Sequence, residues 1–536
     1  MRFKPSVFIM LAALAGILPT AGASAAIRLS NMFSNHLVLQ RNMRDPVWGW
    51  ANPGQKITVH FAGHLVTATS DAHGAWMAEL PPMRHSSRPR TLTISSGSQN
   101  IVLHDVLVGD VWLCSGQSNM QYPMAGWFHR TNLASALAHG THPNIRLYHV
   151  PMIESNFSGT PKNQAPAAWQ RCTPKNLAQF SAVGYFFGLT LHKDLNVPIG
   201  LIESDWGGTN IDPWIPRSGY FAVPQLKADQ AWLRAMAAQQ KMLNSQYLAA
   251  MSAWLRKAKQ AVAAGKSMPR RPAKPLNAIS SPHAFDYHIP HGDWQPDPHQ
   301  NPTTLFNGMI NPLIPYAIRG AIWYQGENNV SSHDVLYYYH LKALIGSWRK
   351  LWHEGNFPFY IVQIAPFNYG GDGRYEPLIW QAEEKAARRI PNCGIVSTLD
   401  IGNVHNIHPA NKLAVGSRLA RLAMARTFHL PPQGAIYSGP VFKSAEFSGK
   451  QVVIHFTQVG RGLVSRNGKR LNWFQLAGGN GKFVDADAQI VGKTVVVHAP
   501  QISDPMAVRF AWSDIAVPNL MNAAGLPALP FKSRKP

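Results

Sequence analysis

Cysteine is scarce in this chain: Cys114, Cys172 and Cys393 are all it has. So sparse and odd a set excludes a disulfide framework and leaves room for one bridge at most. Cys114 and Cys393 belong to apolar runs, where a thiol behaves as a small hydrophobe. No Cys/His cluster has zinc spacing, so no metal site is expected. Long apolar runs are missing too. None after the first 25 residues approaches the ~20 residues of a membrane span, and no membrane partner is expected. Acidic residues are few, 27 Asp plus Glu against 50 Lys plus Arg, for a formal net charge of +23. Such a balance suits nucleic acid, anionic envelope surfaces or acidic glycans. The basic residues are nevertheless dispersed, apart from a cluster between Arg256 and Lys274, and no nucleic-acid motif accompanies them. Nucleic acid is therefore set aside as a partner, and the charge is read as a surface property.

What is present begins with a targeting pattern. Arg2 and Lys4 form a basic region, Val7 to Leu18 an apolar one, and Ala23-Ser24-Ala25 a small-residue cleavage site. Residues 1–25 read as a signal peptide, with export to the periplasm or medium. The 536 residues exceed a single core. Residues 26–105 show short alternating runs between turn residues and predict a β-domain. From Val106 to about 430 strands alternate with helical patterns around Val183–Leu195, His333–Trp352 and Asn411–Thr427, which implies a parallel sheet covered by helices. A helical insertion over about 225–280 interrupts this rhythm and is expected to end at Pro269 and Pro272. Residues 431–536 return to β.

The apolar run Val106–Cys114 reads as a buried parallel strand and leads into Gly116-Gln117-Ser118-Asn119-Met120. A serine just past such a strand lies in the crevice where α/β enzymes bind ligands. Gly116 permits a tight turn, Ser118 supplies a nucleophilic hydroxyl, and Gln117 and Asn119 can fix geometry, donate to an oxyanion or bind substrate. Met120 stands where the Gly-x-Ser-x-Gly elbow has its second glycine. Later strands end in comparable segments: Ser204-Asp205-Trp206-Gly207-Gly208-Thr209, Trp323-Tyr324-Gln325-Gly326-Glu327, and Asp400 to Lys412 with His405 and His408. Paired glycines let a backbone N–H approach a ligand, and the amides and Glu327 can serve an oxyanion or sugar hydroxyls. Trp127, Trp206 and Trp323 are candidates for sugar stacking, although core packing is the commoner fate of a tryptophan.

Taken in order, these segments resemble the sialate O-acetylesterase family of the SGNH (GDSL-type) hydrolases. Leu305-Phe306-Asn307-Gly308-Met309-Ile310, Ile407-His408-Pro409 and the C-terminal Asn522 to Phe531 extend the likeness over residues 32–531. The resemblance implies an α/β fold, a three-layer α/β/α domain with a mostly parallel sheet, flanked by two β-sandwich-like domains. It implies Ser118 as nucleophile, His408 as general base, and an oxyanion hole built from the Ser118 N–H, Gly208 and the Gln325 side chain. Gln117, Asn119, Trp206 and Glu327 are the expected substrate contacts, and no cofactor is needed. The acidic member of the triad is either Asp400 or absent, because His405 and Asn406 stand where relatives carry Asp. The implied activity removes O-acetyl groups from sialic acid or another acetylated glycan. For a sialate carboxylate, Arg374 and Arg418 are candidates. An acetylxylan- or pectin-type esterase and a general esterase or lipase are the enzymatic alternatives. A non-catalytic glycan-binding protein is the third, and intact Ser118 and His408 argue against it.

Overall fold

A strand of 18 residues, Gln99–Gly116 (β1), joins the N-terminal part of the molecule to its centre. Its early residues alternate between buried and exposed, whereas Val106 to Gly116 are all buried. The change follows from its neighbours. The early half pairs antiparallel with Ser86–Ser96 and keeps one wet face. The later half lies between two parallel strands and is covered on both faces. The computed structural model describes residues 27–126, 133–155, 167–272, 298–370, 373–430 and 436–536. The segment read as a signal peptide, Trp127 and residues 273–297 lie outside the described residues. Among the described residues no helix is long and apolar enough to cross a membrane.

Around β1 the chain adds His142–His149 (β2), Gln170–Cys172 (β3), Ile199–Asp205 (β4), Gly320–Tyr324 (β5), Phe359–Val362 (β6) and Cys393–Val396 (β7). Their spatial order is β3-β2-β4-β1-β5-β6-β7. The β3–β2 pair is antiparallel, and each later pair along this path is parallel. The carboxyl ends of β1, β4 and β5 therefore meet at one edge. The chain order reverses there, which is where such sheets open a crevice. The helices that bear on the site are Ser118–Gln121 (α1), Ala182–Leu195 (α2), Lys227–Ala263 (α3), Glu327–Ser331 (α4), Tyr337–Trp352 (α5), Tyr375–Arg389 (α6) and Lys412–Arg426 (α7). Helix α7 opens on the Asn411 side chain, which accepts the Ala414 N–H at 3.1 Å. It crosses α2 so closely that a Cβ at Gly416 would stand 2.7 Å from Phe186 Cβ and the Phe187 nitrogen.

Two boundaries differ from the sequence expectation. Helix α3 ends well before Pro269, because Gly265 takes φ +64° and the Lys266 N–H closes onto the Ala261 carbonyl at 2.8 Å. Helix α5 starts at Tyr337 instead of His333. His333 has φ +56°, and the Asp334 carboxylate accepts the Leu336 N–H at 2.8 Å, a turn that delays the helix.

All three cysteines are buried and free. Trp323, a candidate for sugar stacking, is fully buried against Trp214, Trp348 and Phe359. Its position on a strand covered on both faces assigns it to the core. Before β1, Asp45–Trp50 pairs with Arg28–Leu29 and Ala75–Leu80, and Lys56–Phe61 pairs with His64–Thr69 and Ser86–Ser96. After α7 the chain forms two four-stranded sheets and a two-stranded ribbon. Replacing Trp323 by Ala is expected to lower stability by about 3–5 kcal/mol, measured by urea unfolding.

Candidate active site

The site starts from one glycine. Gly116 has φ +145°, and a Cβ there would run into the Tyr324 carbonyl oxygen. The tight approach brings the end of β1 onto the end of β5, and the Gln117 N–H donates to that same carbonyl at 3.0 Å. Ser118 follows as the first residue of α1, half-buried at the sheet edge. Its Oγ lies 3.0 Å from Nε2 of His408.

His408 sits on a loop stiffened by its own asparagines. Asn403 Oδ1 accepts the His405 N–H at 3.0 Å, and Asn406 Oδ1 accepts the His408 N–H at 2.9 Å. His405, the alternative histidine, is exposed on this loop. The third wall is the turn after β4. Gly207 lies against the nucleophile, so that a Cβ on it would be 3.3 Å from Ser118 Cβ. Its N–H donates to Gln121 Oε1 at 2.9 Å. Gly208 has φ +72° with open space where a Cβ would stand, and its carbonyl accepts from Gln300 Nε2 at 2.6 Å. Trp206 is partly exposed and stacks on His299, ring centroids 4.7 Å apart. Ser118, His408, Gly208 and Trp206 thus all keep some exposure on three segments that meet at the Ser118–His408 pair.

The other expected contacts lie beneath it. Gln117 is buried, and its Oε1 accepts from the Gly326 N–H and from Gln325 Nε2, both at 3.2 Å. Gln325 is fully buried: its Nε2 also reaches Thr209 O at 3.1 Å and Asn329 Oδ1 at 2.6 Å, while its Oε1 takes the Tyr337 hydroxyl. An amide so committed cannot also donate to an oxyanion, which corrects the role expected for Gln325. Asn119 and Glu327 are fully buried and bonded to each other, Nδ2 to Oε1 at 2.5 Å, so they form the floor and do not face substrate. Asn119 Nδ2 also donates to the Ile407 carbonyl at 2.9 Å, tying the nucleophile helix to the histidine loop. Asp400 is corrected as well. Its two oxygens accept from Arg418 at 2.7 and 2.6 Å, and a bond to His408 is not among its hydrogen bonds. Arg418, a candidate for a sialate carboxylate, is held there and by the Ser397 carbonyl.

Sequence reasoning assigned no role to Lys412. It is fully buried, and its Nζ donates to Asn119 Oδ1. A signal was present: a lysine in the first turn of a helix, where the macrodipole opposes a cation. Burial, and then the charge of Lys412, push the His408 imidazole down to about 4. Burial takes Lys412 itself down to about 7, against the pull of Glu327. Away from the cleft, buried Asp212, Asp229 and His340 bring potential ligand atoms within 4.8 Å of one another. Burial opposes a charge on His340, but Asp334 and Asp212 outweigh it and push the imidazole well above its ordinary value, with Nδ1 2.8 Å from Asp334 Oδ2.

Comparison with known proteins finds carbohydrate esterases. A family model described as carbohydrate esterase, sialic acid-specific acetylesterase, matches residues 290–425. The sialate O-acetylesterase of Rattus norvegicus is 26% identical over 470 residues, covering 81% of this chain and 80% of that protein. The enzyme of the same name from Mus musculus is 27% identical over 469 residues, with 81% and 79% covered. A carbohydrate acetylesterase from Xanthomonas citri superposes with a TM-score of 0.76 at 31% identity, over 95% of this chain and all of that one. The fold and these likenesses define a carboxylic ester hydrolase. Within that class the chain belongs to the sialate O-acetylesterase family.

The Asp400–Arg418 pair predicts that Asp400→Asn lowers the thermal midpoint while changing kcat by less than about tenfold. Loss of an acid that orients the base costs about 10⁴ in kcat, so steady-state rates beside a melting curve separate the two roles.

Proposed function

We propose that this protein removes O-acetyl groups from a carbohydrate through an acetyl-serine intermediate on Ser118, with His408 as general base and acid. The observation that carries the reading is the 3.0 Å contact between Ser118 Oγ and His408 Nε2, both partly exposed. As Oγ attacks the acetyl carbon, its proton passes to Nε2. The tetrahedral oxyanion is met by the backbone N–H of Ser118 and that of Gly208, whose exposed turn leaves room for it. The imidazolium then returns the proton to the departing sugar oxygen. Water, deprotonated by His408, next attacks the acetyl-enzyme, and Ser118 is regenerated with release of acetate. Trp206 on the rim supplies an aromatic face for a sugar ring.

The family's name and the likeness to sialate O-acetylesterases put O-acetylated sialic acid first among substrates, with acetylated plant or envelope glycans next. The parallel pairing about β1 supports an SGNH-like three-layer domain over 106–430. The all-β pairing before and after it supports flanking domains at 26–105 and 431–536. The basic, apolar and small-residue pattern of residues 1–25 supports export.

Acetate release from O-acetylated sialic acid, acetylxylan, acetylated pectin and p-nitrophenyl acetate tests the reading. Ser118→Ala is expected to lower kcat by about 10⁴-fold or more on the preferred substrate; an unchanged rate would overturn the assignment. The base must be neutral to accept the serine proton, and its pKa is lowered. Activity is therefore retained as pH falls below neutrality and lost only as pH passes through the His408 value, with kcat/KM half-maximal near pH 4. A pH profile of kcat/KM between 3 and 8 checks this.

A further inference from the structure

A buried lysine lies directly behind the reacting pair, and nothing in the acyl-enzyme chemistry calls for it. Lys412 has no solvent exposure, although it opens α7, where the helix dipole disfavours a cation. Three kinds of partner offset this. Its Nζ donates to Asn119 Oδ1, it faces the rings of Tyr122 at 4.8 Å and Tyr324 at 5.5 Å, and the Glu327 carboxylate attracts it. The Asn119 amide is shared. One end takes the lysine, and the other donates to Glu327 and to the carbonyl of Ile407, the residue before His408. Asn119 is also the residue after Ser118, so one planar amide links the chain neighbours of both halves of the reacting pair.

Resting on the Ser118–His408 reading, we propose that Lys412 is a positioning residue: it fixes the pair through Asn119, and its charge adds to the effect of burial in opposing a proton on His408 before Ser118 delivers one. The groups facing Lys412 are accounted for from each element. Glu327 comes from α4, Tyr324 from β5, Asn119 and Tyr122 from in and beside α1, and His408 from its own loop. Behind Glu327, the carboxyls of Glu376 and Glu383 on α6 are pushed well up by burial, and burial raises Glu327 as well.

The test compares Lys412→Met, which removes donor and charge, with Lys412→Gln, which removes the charge and keeps an amide donor. In both, the acid limb of kcat/KM is expected to move up by about one pH unit, because a like charge no longer opposes the imidazolium. The remaining depression, caused by burial, stays. Lys412→Met is also expected to lose about tenfold in kcat with KM within about threefold, since a loosened His408 misaligns the transfer without touching substrate. Lys412→Gln should recover part of that loss. A purely structural lysine would lower the melting temperature and leave the acid limb in place, and that result overturns the proposal. Should Lys412→Met fail to fold, Lys412→Gln carries the same comparison. A wild-type limb at or above the ordinary imidazole value overturns it without any variant. Retained activity in Ser118→Ala sinks the esterase site itself, whereas a dead Ser118→Ala beside unshifted Lys412 variants sinks this inference alone.

Discussion

At the carboxyl ends of β1 and β5 the backbone of Gly116 lies so near the Tyr324 carbonyl that no side chain fits between them. That approach turns the chain sharply and delivers Ser118 to the sheet edge at the head of α1. It also brings the residues after β1 over those after β5. Gln117 can then reach the Gly326 N–H, and Asn119 can reach Glu327. A larger residue at 116 would separate the strands and break each of these contacts together.

The polar residues around the cleft fall into two layers with different physics. Ser118, His408, Gly208 and Trp206 keep some contact with solvent and can meet a ligand. Gln117, Asn119, Gln325, Glu327 and Lys412 are buried, so their hydrogen-bonding groups must be matched inside the protein. The three amides so matched stiffen the floor, because each holds two or more partners and cannot turn without orphaning one. The rim is therefore chemically available, and the floor is geometrically fixed.

Much of the site was legible in the sequence because its signals are local. Apolar runs ending in Gly116, Asp205 and Tyr324 mark strand ends, and reactive residue types cluster just beyond them. His408 stood out by its place before Pro409 and a helix. What misled was the polarity of the amides. Gln325, Asn119 and Glu327 look like ligand contacts in a string of letters, yet the fold turns them inward. Asp400 looked like the partner of His408, but Arg418, one helix face away, holds both its oxygens. Trp323 likewise went to the core, since a strand covered on both faces leaves no wet side for its ring.

The sequence by itself determined the elements and the candidate groups: strands from apolar runs, turns from glycine, a serine and a histidine after the strands that carry them. Only the tertiary structure decided which polar groups face substrate and which face each other. Those choices join residues far apart in the chain, as with Asn119 and Glu327, 208 positions apart, or Asn119 and Lys412, 293 apart. Hydrogen bonds reach only about 3 Å, so pairings over such separations exist only once the parallel strands have brought their ends together.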